Sequence, residues 1–211
     1  MNTAPLSHPH VFEPGAPGGG AALLLLHGTG GDEHSLLAVA RRFAPGAPLL
    51  GVRGMVSENG MPRFFRRFAE GIFDLEDVER RTEALADFIA AASGRYGFDL
   101  RTLTAVGYSN GANIAASLLL RRPEVLGAAA LLRPMVVLEP PSVPDLSGRR
   151  VLILSGARDP IVPPNDPARL AGFLRAGNAS VELSRQSGGH ELGAEDFAVL
   201  QRFLAPGHAA T

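Results

Sequence analysis

The sequence predicts an α/β fold in which a mostly parallel central sheet is covered by helices on both faces. Three observations carry that prediction. Short, continuous apolar runs recur along the chain, as strands buried on both faces require. Amphipathic helical stretches lie between them. No internal repeat, heptad or low-complexity segment breaks the alternation, and strands alternating with helices imply parallel pairing through crossovers.

Taken in order, residues 1–20 are rich in Pro and Gly and read as an exposed arm, or as one short edge strand from His10 to Glu13. Residues 21–205 read as a single domain, and residues 206–211 as a tail. Within the domain, apolar runs predict strands over 21–27, 49–52, 103–107, 128–132, 151–155 and 181–184. Helices are predicted over 35–43, 74–96, 112–121, 167–176 and 194–204. The helix over 74–96 has the clearest stripe, with Leu75, Val78, Thr82, Leu85, Ile89, Ala92 and Tyr96 at three- and four-residue spacing, a face for packing on a sheet. Two stretches fit neither period. Residues 53–73 mix glycines, Phe64, Phe65 and Phe68 with four arginines, and residues 133–148 are Pro-rich. Long irregular stretches in a compact domain are usually functional or mobile.

Composition removes several chemistries. Of 211 residues, 45% are apolar and 19% charged, which suits a soluble globular chain rather than a disordered one. The net charge of −1 gives no field that attracts nucleic acid. All 20 basic residues are arginine, so Schiff-base chemistry, a pyridoxal-phosphate anchor and a lysine-bearing P-loop are excluded. Cysteine is absent, which excludes thiol nucleophiles, disulfides and thiolate metal sites. No cofactor and no metal is expected. The apolar run at 21–26 is too short to span a bilayer, and without targeting signals a cytoplasmic location is expected.

Residues 107–111 read Gly-Tyr-Ser-Asn-Gly, a match to G-x-S-x-G. An apolar run precedes the match and a helix of small residues follows it. That strand–turn–helix setting puts a serine on a sharp turn with its hydroxyl exposed, so Ser109 is the expected nucleophile. A serine hydroxyl attacks only when a base takes its proton. Of six histidines, His8 and His10 lie in the arm, His208 in the tail and His34 at a helix start. His27 ends a strand before a glycine-rich loop, where a backbone-bonded role suffices. His190 follows the last strand and precedes the last helix, and is the expected base. In this kind of sheet the triad runs Ser, then Asp or Glu, then His. Asp159 leaves the strand over 151–155 in a loop between Ser109 and His190, and would hold the imidazole tautomer. Asp166, further on, is better explained as a helix cap.

An attacked carbonyl puts negative charge on oxygen, which fixed N–H donors must meet. The amide after the nucleophile, Asn110, is one expected donor, and Thr29 in the loop His27-Gly28-Thr29-Gly30-Gly31 is the other. A phosphate-binding reading of that loop fails, since no lysine follows the glycines. Asp32 is expected to cap the next helix or brace the loop.

These residues resemble the phospholipase/carboxylesterase family of α/β-hydrolases, relatives of acyl-protein thioesterases and dienelactone hydrolases. The likeness runs from about Ala21 through nearly the whole chain. It rests on residues 27–33, 107–111, Asp159-Pro160-Ile161-Val162-Pro163 and Gly188-Gly189-His190-Glu191. Arg63-Phe64-Phe65 and Leu132-Arg133-Pro134-Met135 resemble the small bacterial branch of hydroquinone-linked carboxylesterases. The resemblance implies an α/β-hydrolase fold without a large cap domain, cleaving small to medium carboxylic esters, and thioesters by the same chemistry, through a Ser-His-Asp triad. It implies small-molecule partners and a homodimer. It places Ile161 and Val162 on the acyl side of the pocket, with Met135, Phe64 and Phe65 near its mouth. The chain departs from the usual dienelactone hydrolases, which carry a Cys nucleophile, and from acyl-protein thioesterases, which usually carry Leu at the Thr29 position. Two alternatives stay open. One is hydrolysis of a hydroquinone or ring-cleavage product of aromatic catabolism, and the other is a non-catalytic ligand sensor on the same fold. Arg53, Arg63, Arg66 and Arg67 suit either selection of an anionic substrate or a solvated helix face, and Arg133 is the arginine best placed to face the site.

Overall fold

The computed structural model describes residues 6–205. The tail, His208 and the first five residues of the arm lie outside the described residues. In chain order the strands begin with β1 (His10–Glu13), β2 (Leu23–Leu26) and β3 (Leu49–Val52). Four short strands follow, β4 (Val56–Glu58), β5 (Met61–Arg63), β6 (Arg67–Ala69) and β7 (Ile72–Phe73). The last four are β8 (Thr104–Tyr108), β9 (Ala128–Leu132), β10 (Arg150–Gly156) and β11 (Ser180–Gln186). The helices are α1 (Leu37–Phe43), α2 (Leu75–Tyr96), α3 (Asn110–Arg121), α4 (Asp166–Ala176) and α5 (Ala194–Leu204). Seven strands form one sheet in the order β1-β3-β2-β8-β9-β10-β11, parallel except for the antiparallel edge strand β1.

The side chains of these strands divide by their two-residue period into two cores. Leu24, Leu26, Leu50, Val52, Ala105, Leu131 and Ile153 pack with α2, α3 and α4. Leu23, Leu25, Leu49, Val106, Leu132, Leu152 and Leu154 pack on the opposite face with α1 and α5. Continuous apolar strands are thus explained by helices on both faces. The stripe of α2 buries Val78, Thr82, Leu85, Ile89 and Ala92 as its spacing requires. Its N-terminus is capped by the Asp74 carboxylate, which accepts from the Asp77 amide, and it ends at Gly97 in the left-handed region (φ 77°).

Three local expectations are corrected. The helix expected from residue 35 begins at Leu37, because Asp32 and Ser35 fold into a polar turn in which the Asp32 carboxylate accepts from the His34 amide and the Ser35 hydroxyl. Asp32 therefore braces the loop and does not cap α1. Asp166 is not a cap either. It is the first residue of α4, its carboxylate is buried, and it accepts from the Val136 amide at 3.0 Å, tying the Pro-rich stretch to the helix. Residues 53–73 are not a helix face but two antiparallel hairpins, β4–β5 and β6–β7, whose strands of two or three residues are too short to reveal a period. The second hairpin is fastened to α2 by the fully buried Asp77 carboxylate, which accepts from the Arg66 amide.

At the edge formed by β1, His8 packs on Phe88 with ring centroids 4.9 Å apart, while His10 Nε2 pairs with the Tyr96 hydroxyl at 2.7 Å. Burial, with the neighbouring Arg81 and His10 adding to it, pushes the His8 pKa down to about 4 from an ordinary 6.5. A folded-state pKa below the unfolded one means that the unfolded chain binds the extra proton between those values. Stability is therefore lost as pH falls from about 6.5 towards 4. We expect urea unfolding to show a loss of about 1 kcal/mol between pH 7 and pH 5, discounted for the ring's position at the sheet edge. His8→Phe should flatten that slope, and an unchanged slope would count against the assignment.

Candidate active site

Strand β8 runs directly into α3, and Ser109 sits at the junction with φ 51° and ψ −113°. This is a strained conformation for a residue with a Cβ. It is held by the Ser109 amide donating to Leu132 O at 2.8 Å and by two close backbone approaches. A Cβ on Gly107 would lie 2.4 Å from Gly111 O, and one on Gly111 would lie 2.0 Å from Leu26 O. Both neighbours are backbone atoms that cannot swing aside. Gly111→Ala should therefore push α3 off the sheet and cost roughly 3 kcal/mol or more, read as a fall in the urea midpoint.

The turn brings Ser109 Oγ to 2.9 Å from His190 Nε2, and His190 Nδ1 lies 2.8 Å from Asp159 Oδ2. Asp159 follows β10 and its carboxylate side chain is nearly fully buried; its other oxygen accepts from the Ile161 and Val162 amides at 2.8 and 3.1 Å. Those three bonds orient the carboxylate before any substrate arrives. The loops bearing Asp159 and His190 are joined by the Arg158 amide donating to Gly188 O. Tyr108 donates to the His190 carbonyl at 3.3 Å, and burial raises the Tyr108 pKa.

Ser109 and His190 open on a cavity of about 210 Å³, and Asp159 lies behind His190, outside the cavity wall. That wall includes Thr29, Tyr108, Asn110, Met135, Ile161 and Phe73. The backbone amides of Thr29 and Asn110 donate to no described residue. The loop carrying Thr29 is clamped by the β4–β5 hairpin, where the Gly30 amide donates to Pro62 O at 3.0 Å and Arg63 Nη1 donates to Thr29 Oγ1 at 2.6 Å. His27 has the structural role expected of it. Its Nε2 accepts from the Gly54 amide and its Nδ1 bonds the Gly28 carbonyl, and burial lowers its pKa.

No family model matches the chain. The Bacillus subtilis (strain 168) protein "Putative hydrolase MhqD" is 48% identical over 183 residues, covering 87% of this chain and 90% of that protein. The chain belongs to the phospholipase/carboxylesterase family of α/β-hydrolases. The solved carboxylesterase of Bacillus cereus superposes with a TM-score of 0.91 at 43% identity, covering 94% of this chain and 93% of its own. A Mesorhizobium loti carboxylesterase superposes at 0.87 with 38% identity, covering 95% and 96%. This family member is an esterase-type hydrolase. Among the described residues, no helix is long and apolar enough to cross a membrane.

Not every residue that the family likeness pointed to lies on the cavity. Met135 and Ile161 line it, whereas Val162 lines a separate recess behind Asp159. Phe64 and Phe65 are not at the mouth. Both are buried in the core, and the Phe64 amide donates to Asn110 Oδ1 at 2.7 Å. In their place the cavity wall carries Arg63, Arg67 and Arg133, arginines for which a place at the site was one reading of the sequence, together with Glu70, Phe73 and Asn113, which no motif marked. Asn113 accepts from the Met135 amide at 2.8 Å and so holds the backbone that carries Met135. Among the described residues, the one cluster of side chains with metal-ligand spacing is Asp32, Glu33 and His34. Its acids are engaged, Asp32 with the His34 amide and Glu33 with Arg53.

Proposed function

We propose that the protein hydrolyses small carboxylic esters, and thioesters by the same route, through Ser109, His190 and Asp159. The observation that carries this is the unbroken chain of hydrogen bonds from Ser109 Oγ to His190 to Asp159, at 2.9 and 2.8 Å, with Ser109 and His190 on the wall of a cavity. Ser109 Oγ attacks the carbonyl carbon while its proton passes to His190 Nε2. The Asp159 carboxylate stabilises the imidazolium that forms. The Thr29 and Asn110 amides receive the charge on the carbonyl oxygen. The imidazolium then gives its proton to the departing alkoxide, leaving an acyl-Ser109. Water, deprotonated by His190, attacks that acyl group, and the proton returns to Ser109 Oγ as the acid departs.

A cavity of about 210 Å³ is small beside those that hold drug-sized ligands, so the substrates are small. Across nitrophenyl esters, kcat/KM should fall by about tenfold or more from the butanoate to the dodecanoate, because extra methylenes find no room. A flat or rising series would overturn the size argument. Fluorophosphonate labelling tests the nucleophile itself: the adduct is expected on Ser109 and nowhere else.

A further inference from the structure

Three arginines line the cavity beside Ser109, and their bonding differs. Arg133 is fully engaged, bidentate to Asp196 at 2.8 and 2.8 Å and bonded to Gly189 O. Arg67 gives Nε and Nη2 to Glu58 and Nη1 to Glu70. Arg63 shares its carboxylate partner, Glu58, with Arg67. Its Nη1 donates to Thr29 Oγ1, its Nε reaches Phe65 O at 3.3 Å, and its Nη2 donates to no described residue. Glu58 lies 3.3 Å from its Nε but is bonded by Arg67. Arg63 is nonetheless only 2% exposed, and burial lowers its pKa. A guanidinium taken out of water that shares its counter-charge with a second arginine, and that lines a cavity with Nη2 unbonded, can receive an anion.

Asn110 supplies a second unmet donor. Its Oδ1 accepts from the Phe64 amide, which fixes which end of the side-chain amide is nitrogen. Its Nδ2 is buried with no partner, although the residue lines the cavity. Buried donors are rarely left unbonded without a reason. Arg63 and Asn110 are neighbours through that same bond, because Phe64 follows Arg63 in the chain. The acid on the cavity wall, Glu70, is exposed and held by Arg67.

We propose that Arg63 and the Asn110 side-chain amide form a subsite for a carboxylate carried by the substrate, so that the preferred substrates are small esters bearing a free carboxylate. This rests on ester hydrolysis at Ser109 and names its substrate class. A planar carboxylate has two oxygens, one to accept from a guanidinium N–H and one from the amide. A neutral carbonyl would satisfy the donors but bring no charge to two guanidinia, Arg63 and Arg67, that share Glu58. The apolar remainder of such a substrate meets Phe73, Met135 and Ile161.

The test compares monoethyl succinate with ethyl succinamate, which differ only in carboxylate against carboxamide. The unmodified protein should favour the hemiester in kcat/KM by about tenfold or more, and R63M should bring that ratio down to near one, with R63K between them. Succinate should inhibit the unmodified protein competitively, and less so as salt rises. Equal or faster turnover of the succinamate by the unmodified protein would overturn the proposal even if R63M failed to fold. An unchanged ratio in a folded R63M would do the same. Fluorophosphonate labelling of Ser109 and turnover of nitrophenyl acetate report separately on the hydrolase reading, so the two can fail independently.

Discussion

Ser109→Ala is expected to lower kcat by about 10⁴- to 10⁶-fold while leaving KM for a small ester within a few-fold. The hydroxyl is the atom that bonds to the acyl carbon, so its loss removes the covalent route altogether. The cavity wall is untouched, so substrate still binds. The same variant should unfold within about 1 kcal/mol of the parent, because Ala and Ser share the strain at φ 51° and only the bond to His190 is lost. Asp159→Asn separates the roles further. It leaves Ser109 and His190 in place but presents a donor to Nδ1, favouring the wrong tautomer, and should cost about 10⁴-fold in kcat. Ordinary turnover by Ser109→Ala, measured on protein freed of contaminating esterase, would refute the mechanism.

The relay could be read from sequence because each member sits where a local pattern is loud. Ser109 lies between Gly107 and Gly111, where an added Cβ would come within 2.4 and 2.0 Å of neighbouring backbone oxygens, so both positions require glycine. Asp159 and His190 follow strands that announce themselves as apolar runs, β10 directly and β11 less cleanly because it is a half-exposed edge. The two-sided burial of β2, β3, β8, β9 and β10 made the fold class legible for the same reason. What stayed hidden was the hairpin region. Short strands carry no period, and there the expectation of Phe64 and Phe65 at the pocket mouth was inverted, while the arginines stayed open between substrate and solvent. Phe64 and Phe65 fill the core, while Arg63 is buried on the cavity wall. Only long-range bonds, Arg63 to Thr29 and the Phe64 amide to Asn110, produce that inversion, and no local pattern encodes them. Asp166 misled for a related reason, since an acid at a helix start usually serves its own helix, and this one serves Val136.

Arg133 and Asp196 give the largest expected effect on stability. Both side chains are almost wholly buried, and their two bonds of 2.8 Å form a fork. Arg133 also bonds the carbonyls of Gly189 and Glu191, on either side of His190, and Asp196 accepts from the Gly193 amide at the start of α5. The pair thus ties β9, the His190 loop and the last helix together, from a residue whose own φ is 59°. Asp196→Ala strands a guanidinium in the interior and should cost about 3–5 kcal/mol, lowering Tm by about 6–20 °C. Arg133→Met should cost a similar amount and lower kcat as well, because His190 loses both backbone ties. The double variant, Arg133→Met with Asp196→Leu, separates the two effects. It removes both buried charges, so stability should largely return, as buried pairs replaced by apolar groups often allow. Activity should stay low, because the carbonyls flanking His190 remain untied. If the double variant recovers kcat along with stability, the pair supports the fold alone and does not position His190.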